Sequence, residues 1–231
     1  MAIVASMIVR NEAHNSYFVK VLTSITDAVD YVMILDDKSD DGGATRSVCR
    51  SFPNILFRES PFDVPMYPIN EPKFREVQWQ KTCEIAKDGD WILALDADEE
   101  IEKSFTLKVK ELMASEHDWF RFRLLDMWSP TTYRVDGYWS PVKEVFFRYK
   151  NLPAELPTAV NHVPLLPKYI VDSANGTERR DIKIIHWGWA NEDKRLAKQQ
   201  FYLDGRADGV NLEHAKSITT PATVEEYVNE N

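Results

Sequence analysis

The run Trp91-Ile-Leu-Ala-Leu-Asp-Ala-Asp-Glu-Glu100 restricts this chain more than any other stretch. A short apolar segment, entered from Asp88-Gly-Asp90 and left through acids, reads as a buried strand of a parallel sheet. In such sheets ligands gather at the carboxyl ends of the strands, where Asp96 and Asp98 fall. Side chains alternate along an extended chain, so these two acids face one way and Ala97 the other. Converging carboxylates repel unless a positive group lies between them, and a divalent cation with hard oxygen ligands suits the place. The plainer alternative is an acidic first turn of the next helix, which would account for Glu99 and Glu100.

Upstream, apolar and amphipathic segments alternate. Ile3–Val9 reads as a strand, Ser16–Ile25 as a helix and Tyr31–Leu35 as a second strand. Ala44–Arg50 reads as a helix and Ile55–Phe57 as a third strand. That order predicts an α/β fold built from βαβ units around a mostly parallel central sheet flanked by helices. Ser60–Lys73 holds four prolines and is expected as a long loop that excludes helix, of the kind that serves as a lid or binding wall. Helices are expected over Arg75–Ala86 and Phe105–Met113, and a strand over Trp119–Leu125. From Met127 to Tyr149 aromatic and polar residues alternate, which suits a small antiparallel extension. Ile182–Trp187 reads as a strand, and Asn191 as the cap of a helix running to Leu203. The tail from Arg206 is polar and expected to be partly mobile.

With 231 residues, 44% hydrophobic, the chain has enough material for one sizeable core. That suits one globular domain, or one domain with a small appendage. The net charge of −9 argues against general nucleic-acid binding. Two cysteines form neither a disulfide framework nor a metal spacing, so a reduced, cytoplasmic, soluble protein is expected. No apolar run is long enough to span a bilayer.

Three further constellations carry chemistry. Asp36-Asp-Lys-Ser-Asp-Asp-Gly-Gly43 follows a strand. It mimics the opening of a calcium loop, but Val48 stands at the twelfth position and no helix precedes it. It is either a simple strand-to-helix turn or a place where Asp36 or Asp37 accepts hydrogen bonds from a nucleobase or ribose. His186-Trp-Gly-Trp189 is followed by Lys194, Arg195, Lys198 and Tyr202, which share a helix face. That face is either a solvated basic stripe or, with His186, a cradle for a metal-bound diphosphate. Glu144 lies among aromatics, where desolvation would fit it for general-base work. Alternatively it pairs with Lys143 or Arg148 on a surface strand.

Taken in order, Met7-Ile-Val-Arg-Asn-Glu12, Ile34-Leu-Asp-Asp-Lys-Ser-Asp-Asp-Gly42 and Leu95-Asp-Ala-Asp-Glu99 resemble the family 2 glycosyltransferases of GT-A fold, over about residues 1–125. The similarity is greatest to the branch whose first strand ends in a "MIVKNE"-like segment. The resemblance implies a nucleotide-diphospho-sugar transferase that moves a sugar, usually from UDP, to an acceptor hydroxyl with inversion. It implies a single catalytic domain over 1–205, with a nucleotide-binding half (1–125) and an acceptor-side half (126–205), followed by a tail (206–231). It implies Val9, Arg10 and Glu12 as lining the nucleotide pocket, Asp37 near the base, and Asp96 near ribose and metal. It also implies Asp98 and His186 as contacts of Mn2+ or Mg2+. Glu144 falls near the family's catalytic base, although Lys143 replaces the histidine that commonly precedes it. Lys194, Arg195 or Lys198 would add charge against the departing diphosphate. Trp128, Tyr138 and Trp139 would form an acceptor platform, or else a second hydrophobic cluster.

Two other readings stand beside this one. A sugar nucleotidyltransferase would open with a glycine-rich G-x-G-T-R segment, where this chain has Val9-Arg-Asn-Glu12. A non-catalytic nucleotide-sugar or glycan-binding module would keep the fold without turnover. A D-x-D-x-T/V phosphatase is disfavoured by Glu100. The acceptor class (glycan, protein, lipid-linked or modified nucleobase) and the oligomeric state are not readable from these residues.

Overall fold

The computed structural model describes residues 1–67, 70–137, 141–153, 155–157, 164–204 and 212–228. Among the described residues ten strands run in chain order: β1 (Ile3–Val9), β2 (Tyr31–Asp36), β3 (Ile55–Glu59), β4 (Trp91–Ala94), β5 (Glu99–Ile101), β6 (Trp119–Asp126), β7 (Thr132–Arg134), β8 (Val142–Arg148), β9 (Gly176–His186) and β10 (Val224–Glu226). The helices are α1 (Phe18–Thr26), α2 (Ala44–Arg50), α3 (Glu71–Cys83), α4 (Lys103–Ala114), α5 (Lys168–Val171), α6 (Glu192–Leu203) and α7 (Leu212–Ser217).

Eight strands form one sheet in the order β3-β2-β1-β4-β8-β6-β9-β5. The first four are mutually parallel, as the βαβ pattern requires. β8 then enters antiparallel to both β4 and β6. β9 lies parallel to β6 and takes the short β5 antiparallel on its outer side. The small antiparallel extension exists as the pair β7–β10.

Strand parity divides the core. Ala5, Met7, Ile34 and Leu93 pack with Phe18, Leu22 and Ile25 of α1 and Phe105 and Leu112 of α4. Val4 and Ile92 point the other way, onto Trp79 of α3, Phe147 and Ile170. Phe146 centres the first layer, stacked on Trp91 at 4.6 Å and meeting Phe105 edge-on at 5.1 Å. The sheet is thus covered on both faces, and its strand ends are left for ligands.

Four expectations are corrected. Glu99 and Glu100 do not start a helix; they form β5, each 3% exposed. The proline-rich loop ends earlier than expected, because α3 begins at Glu71. Pro72 sits in its first turn, where no N–H is needed, and Asn70 Oδ1 accepts from the Lys73 N–H. β9 begins at Gly176, six residues before the expected strand, and a register shift against β6 between Phe122 and Arg123 had masked its pattern. The tail is built into the fold over 212–228: Ala215 and Ile218 are buried, and β10 pairs with β7. Among the described residues no helix is long and apolar enough to cross a membrane.

Candidate active site

β4 stops at Ala94, and the next four residues make a turn rather than a continued strand. The Glu99 N–H donates to the Asp96 carbonyl, while the Asp96 N–H donates to Glu99 Oε2 at 2.9 Å. Asp96 and Asp98 therefore share one edge because of a turn, not because of strand alternation. Asp96 is held between two cations. Lys143 Nζ donates to its Oδ2 at 2.8 Å and Arg75 Nη2 to its Oδ1 at 3.2 Å. Burial would raise this carboxyl, but Lys143 and Arg75 outweigh it and hold it far below the usual carboxylate range. Lys143 also donates to both oxygens of buried Glu99, at 2.6 and 2.7 Å. Arg75 is in turn braced by Glu71 and Gln78.

Asp98 belongs to a second cluster. β9 lies between β5 and β6, so His186 is paired across the ladder with Glu99 on one side and Asp126 on the other. His186 Nδ1 shares a 2.6 Å hydrogen bond with Asp126 Oδ1, and its Nε2 stands 3.4 Å from Asp98 Oδ2. Burial pulls this imidazole down, yet Asp98 and Asp126 together lift it to about 10. Asp98 is correspondingly lowered by His186 against its own burial. A side chain at Gly188 would lie on Asp98 Oδ2 and 2.7 Å from His186 Nε2, so the glycine keeps the space beside this pair open. The following 3-10 turn is anchored by the Trp187 N–H on the Asp98 carbonyl, by Trp187 Nε1 on Glu100, and by a 4.4 Å stack on Tyr17.

This pair fits a divalent cation in kind. A hard carboxylate faces an imidazole whose other nitrogen is oriented by a carboxylate, the arrangement that commonly supports a metal-bound histidine. It supplies two protein ligands; among the described residues no group of three or more His, Cys, Asp or Glu could hold a metal ion.

The ends of β1 and β2 behave differently from expectation. Val9 is core, 1% exposed, and offers the site only its backbone; its carbonyl accepts the Asp37 N–H. Asp37 is fully buried, and its carboxylate accepts the N–H groups of Met66 at 2.7 Å and Tyr67 at 2.9 Å. It therefore pins the proline-rich loop to the sheet and has no oxygen turned to solvent for a base. Asp36 is engaged locally by the N–H and hydroxyl of Ser39. Ser39 Oγ also accepts the N–H of Asn11, which adopts a left-handed conformation (φ 56°). Arg10 is exposed, with a long contact to the Tyr67 carbonyl.

Glu12 is half-buried with a weak bond from Asn15 at 3.3 Å. Burial and then the charge of Asp98 raise its carboxyl to about 7, with Lys194 among the groups opposing the rise. It ionises near 4.5 in the unfolded chain, so this group erodes stability as pH climbs from about 4.5 to 7, and the full cost stands above 7. Glu12→Gln is expected to stabilise the protein by about 1–3 kcal/mol at pH 8 and to be neutral near pH 4. Urea unfolding at the two pH values measures this; an equal effect at both would refute it.

The basic face of α6 is split. Lys198 lies over the Trp189 ring at 4.3 Å; burial lowers its affinity for a proton, opposed by Asp98, Asp96 and Asp126. Lys194 is exposed on the same side, within reach of the charge on Glu12. Arg195 is corrected to a packing role. It is 8% exposed, donates to the carbonyls of Trp128 and Trp189, and stacks over Trp128 at 4.2 Å. Trp128, flanked also by Arg134 at 4.8 Å, packs against Trp189, Tyr202 and Ile218 as a second hydrophobic cluster. Tyr138 and Trp139, the other residues expected in an acceptor platform, lie outside the described residues.

Glu144 is corrected as well. The pairs Phe120–Phe146 and Arg121–Glu144 leave Val145 as an extra residue in β8, a bulge that changes the strand's phase. Lys143 takes the side of the acid turn. Glu144 turns to the opposite face, 40% exposed and 3.6 Å from Arg121, which also binds Glu178. Sequence reasoning missed Lys143, Arg75, Glu99 and Asp126. Only the Lys143-Glu144 juxtaposition, a departure from the His-Glu pair, carried any hint. A cavity of about 660 Å3 lined by Asp88, Gly89, Arg148 and Leu152 lies at the other end of β4, and Lys150 on its wall is engaged by Asp118.

This sheet order, with an acid turn after its fourth strand, defines a chain of GT-A-like fold. The particular likeness is to S. aureus TarS (residues 1–349). The TM-score is 0.50 at 18% identity, covering 94% of this chain and 69% of that one. The inositol-1-phosphate CTP transferase of T. maritima (TM-score 0.47, 6% identity, 96% and 98% covered) also aligns. So does the 4-diphosphocytidyl-2C-methyl-D-erythritol synthase of Anaerococcus prevotii (0.45, 12%, 88% and 96%). No family model and no curated protein matches the chain.

Proposed function

We propose that this chain is a metal-dependent glycosyltransferase that moves a sugar from a nucleotide-diphosphate sugar, a UDP-sugar in the first instance, to an acceptor hydroxyl. The observation that carries the reading is the Asp98–His186 pair at the ligand edge of the sheet, kept open by Gly188 and oriented by Asp126. Asp98 and His186 would hold Mn2+ or Mg2+, which supplies Lewis-acid stabilisation of the leaving diphosphate. Lys198, and Lys194 beyond it, face the same edge and offer positive charge to a group whose negative charge grows as the sugar–phosphate bond breaks. The pinned loop brings Tyr67 near Asp96 and Asp98, where it would wall the donor pocket. Inversion rested on Glu144, whose side chain lies across the sheet, so the proposal is confined to glycosyl transfer without a stereochemical outcome. The likeness to TarS supports the fold on which this reading stands.

A thermal-shift screen of nucleoside diphosphates and their sugars, with and without Mn2+, tests the class. A UDP-type ligand at about a hundred times its Kd should stabilise the protein by about 2.7 kcal/mol, and only with metal. Asp98→Ala should erase that metal dependence and lower UDP-sugar hydrolysis by on the order of 100-fold or more. Unchanged turnover in Asp98→Ala would remove the metal from the reading. Pyrophosphate release from a nucleoside triphosphate and a sugar phosphate would replace the reading with nucleotidyl transfer. Tight UDP binding without transfer or hydrolysis of any donor would replace it with a binding module.

A further inference from the structure

We propose that Lys143 is a built-in counter-cation that withdraws Asp96 and Glu99 from metal ligation, so that the divalent cation enters this site together with the donor's diphosphate. The inference rests on the metal-dependent reading above and specifies how that metal arrives. An ammonium has three N–H donors. Those of Lys143 meet Asp96 Oδ2 at 2.8 Å, Glu99 Oε1 at 2.6 Å and Glu99 Oε2 at 2.7 Å. The remaining oxygen of Asp96 accepts from Arg75 Nη2, and Glu99 Oε2 also accepts the Asp96 N–H. Both carboxylates are thereby occupied on both oxygens. Glu99 is fixed in a β-ladder and 3% exposed, so it cannot swing out to a new ligand.

A divalent ion at bonding distance from Asp96 would stand close to the Lys143 ammonium and the Arg75 guanidinium, and like charges so placed repel strongly. Among the described residues no lysine or arginine hydrogen-bonds to Asp98, whose near neighbour is His186 at 3.4 Å, and Gly188 puts no side chain against the pair. Two protein ligands satisfy a minority of the positions that Mg2+ or Mn2+ fills, and the oxygens of a diphosphate complete the set. The acid turn thus works as one metal-binding carboxylate and one structural carboxylate. Lys143 decides which is which.

The test is a titration of Mn2+ into the full chain, by calorimetry or by the Mn2+ spin-resonance signal, with and without UDP. The parent should bind Mn2+ weakly alone and about tenfold or more tightly with UDP, a coupling of ordinary size. Lys143→Gln removes one ammonium and bares Asp96 Oδ2 beside Asp98, so Mn2+ binding without UDP should tighten by about tenfold, since affinity follows ligand charge count. Asp96→Asn should leave the parent's affinity within about twofold, whereas Asp98→Asn should remove binding. The inference fails if folded Lys143→Gln binds Mn2+ no more tightly than the parent. It fails equally if Asp96→Asn weakens binding as much as Asp98→Asn does, a comparison that stands even if Lys143→Gln does not fold. A parent chain that binds no Mn2+ with any nucleoside diphosphate would overturn the metal reading itself, and this inference with it.

Discussion

Gly188→Ala should cost about 10–100-fold in metal-dependent nucleotide binding while leaving the fold almost intact. A Cβ there would occupy the space against Asp98 Oδ2 and His186 Nε2. His186 cannot retreat, because its Nδ1 is tied to Asp126 and its carbonyl accepts the Met127 N–H. The Asp98 carboxylate has to rotate instead, and disturbing the arrangement that orients metal ligands costs about 10–100-fold in metal affinity. The clash is with the ends of polar side chains rather than with backbone, so the melting temperature should fall by only a few degrees. Mn2+ and UDP titration beside a thermal melt measures both quantities. Parent-like affinity in Gly188→Ala would show that the metal does not use this gap.

Asp37→Ala should be the most destabilising single change at the ligand edge. Its carboxylate is buried and accepts two backbone N–H groups of the proline-rich loop, with each hydrogen bond to a charged group contributing about 1.5–3 kcal/mol. Removing the acceptor leaves both donors unsatisfied, for a loss of about 3–5 kcal/mol and about 10 °C in Tm. The loop that carries Met66 and Tyr67 should then become the preferred site of limited proteolysis. Urea unfolding and proteolysis read the two effects. A variant of parent-like stability that is defective only in donor KM would restore the base-binding role that the family resemblance implies for Asp37.

Much of the architecture was legible because it is written in local periodicity. Ile3–Val9, Tyr31–Asp36 and Trp91–Ala94 are apolar on both faces, as strands covered twice must be, and α2 runs over the residues its pattern marks. Asn191 caps α6 through the Lys194 N–H, a local bond that the sequence states outright. Several elements escaped. β5 is three residues long and takes its identity from pairing with β9 alone. The start of β9 is hidden by its register shift. The C-terminal helix and strand owe their burial to partners far along the chain, since Gln199 holds the Ala215 carbonyl and β10 lies on β7.

The acids themselves were legible, but their duties were not. Asp37, Asp96 and Asp98 all read as ligand-edge carboxylates, and residue type cannot tell an acid that awaits a ligand from one already engaged. The partners are remote: Asp37 meets residues about thirty positions on, Asp96 meets Lys143, and Asp98 meets His186. Sequence by itself determined that Asp96 and Asp98 would fall at the carboxyl end of a buried parallel strand, because a short apolar run between acidic breakers sets it. That a turn rather than strand alternation brings them to one edge came from the bonds between Asp96 and Glu99. Only the tertiary structure decided that Lys143, not its neighbour Glu144, turns toward that edge, because a single bulged residue in β8 reverses which face each side chain occupies.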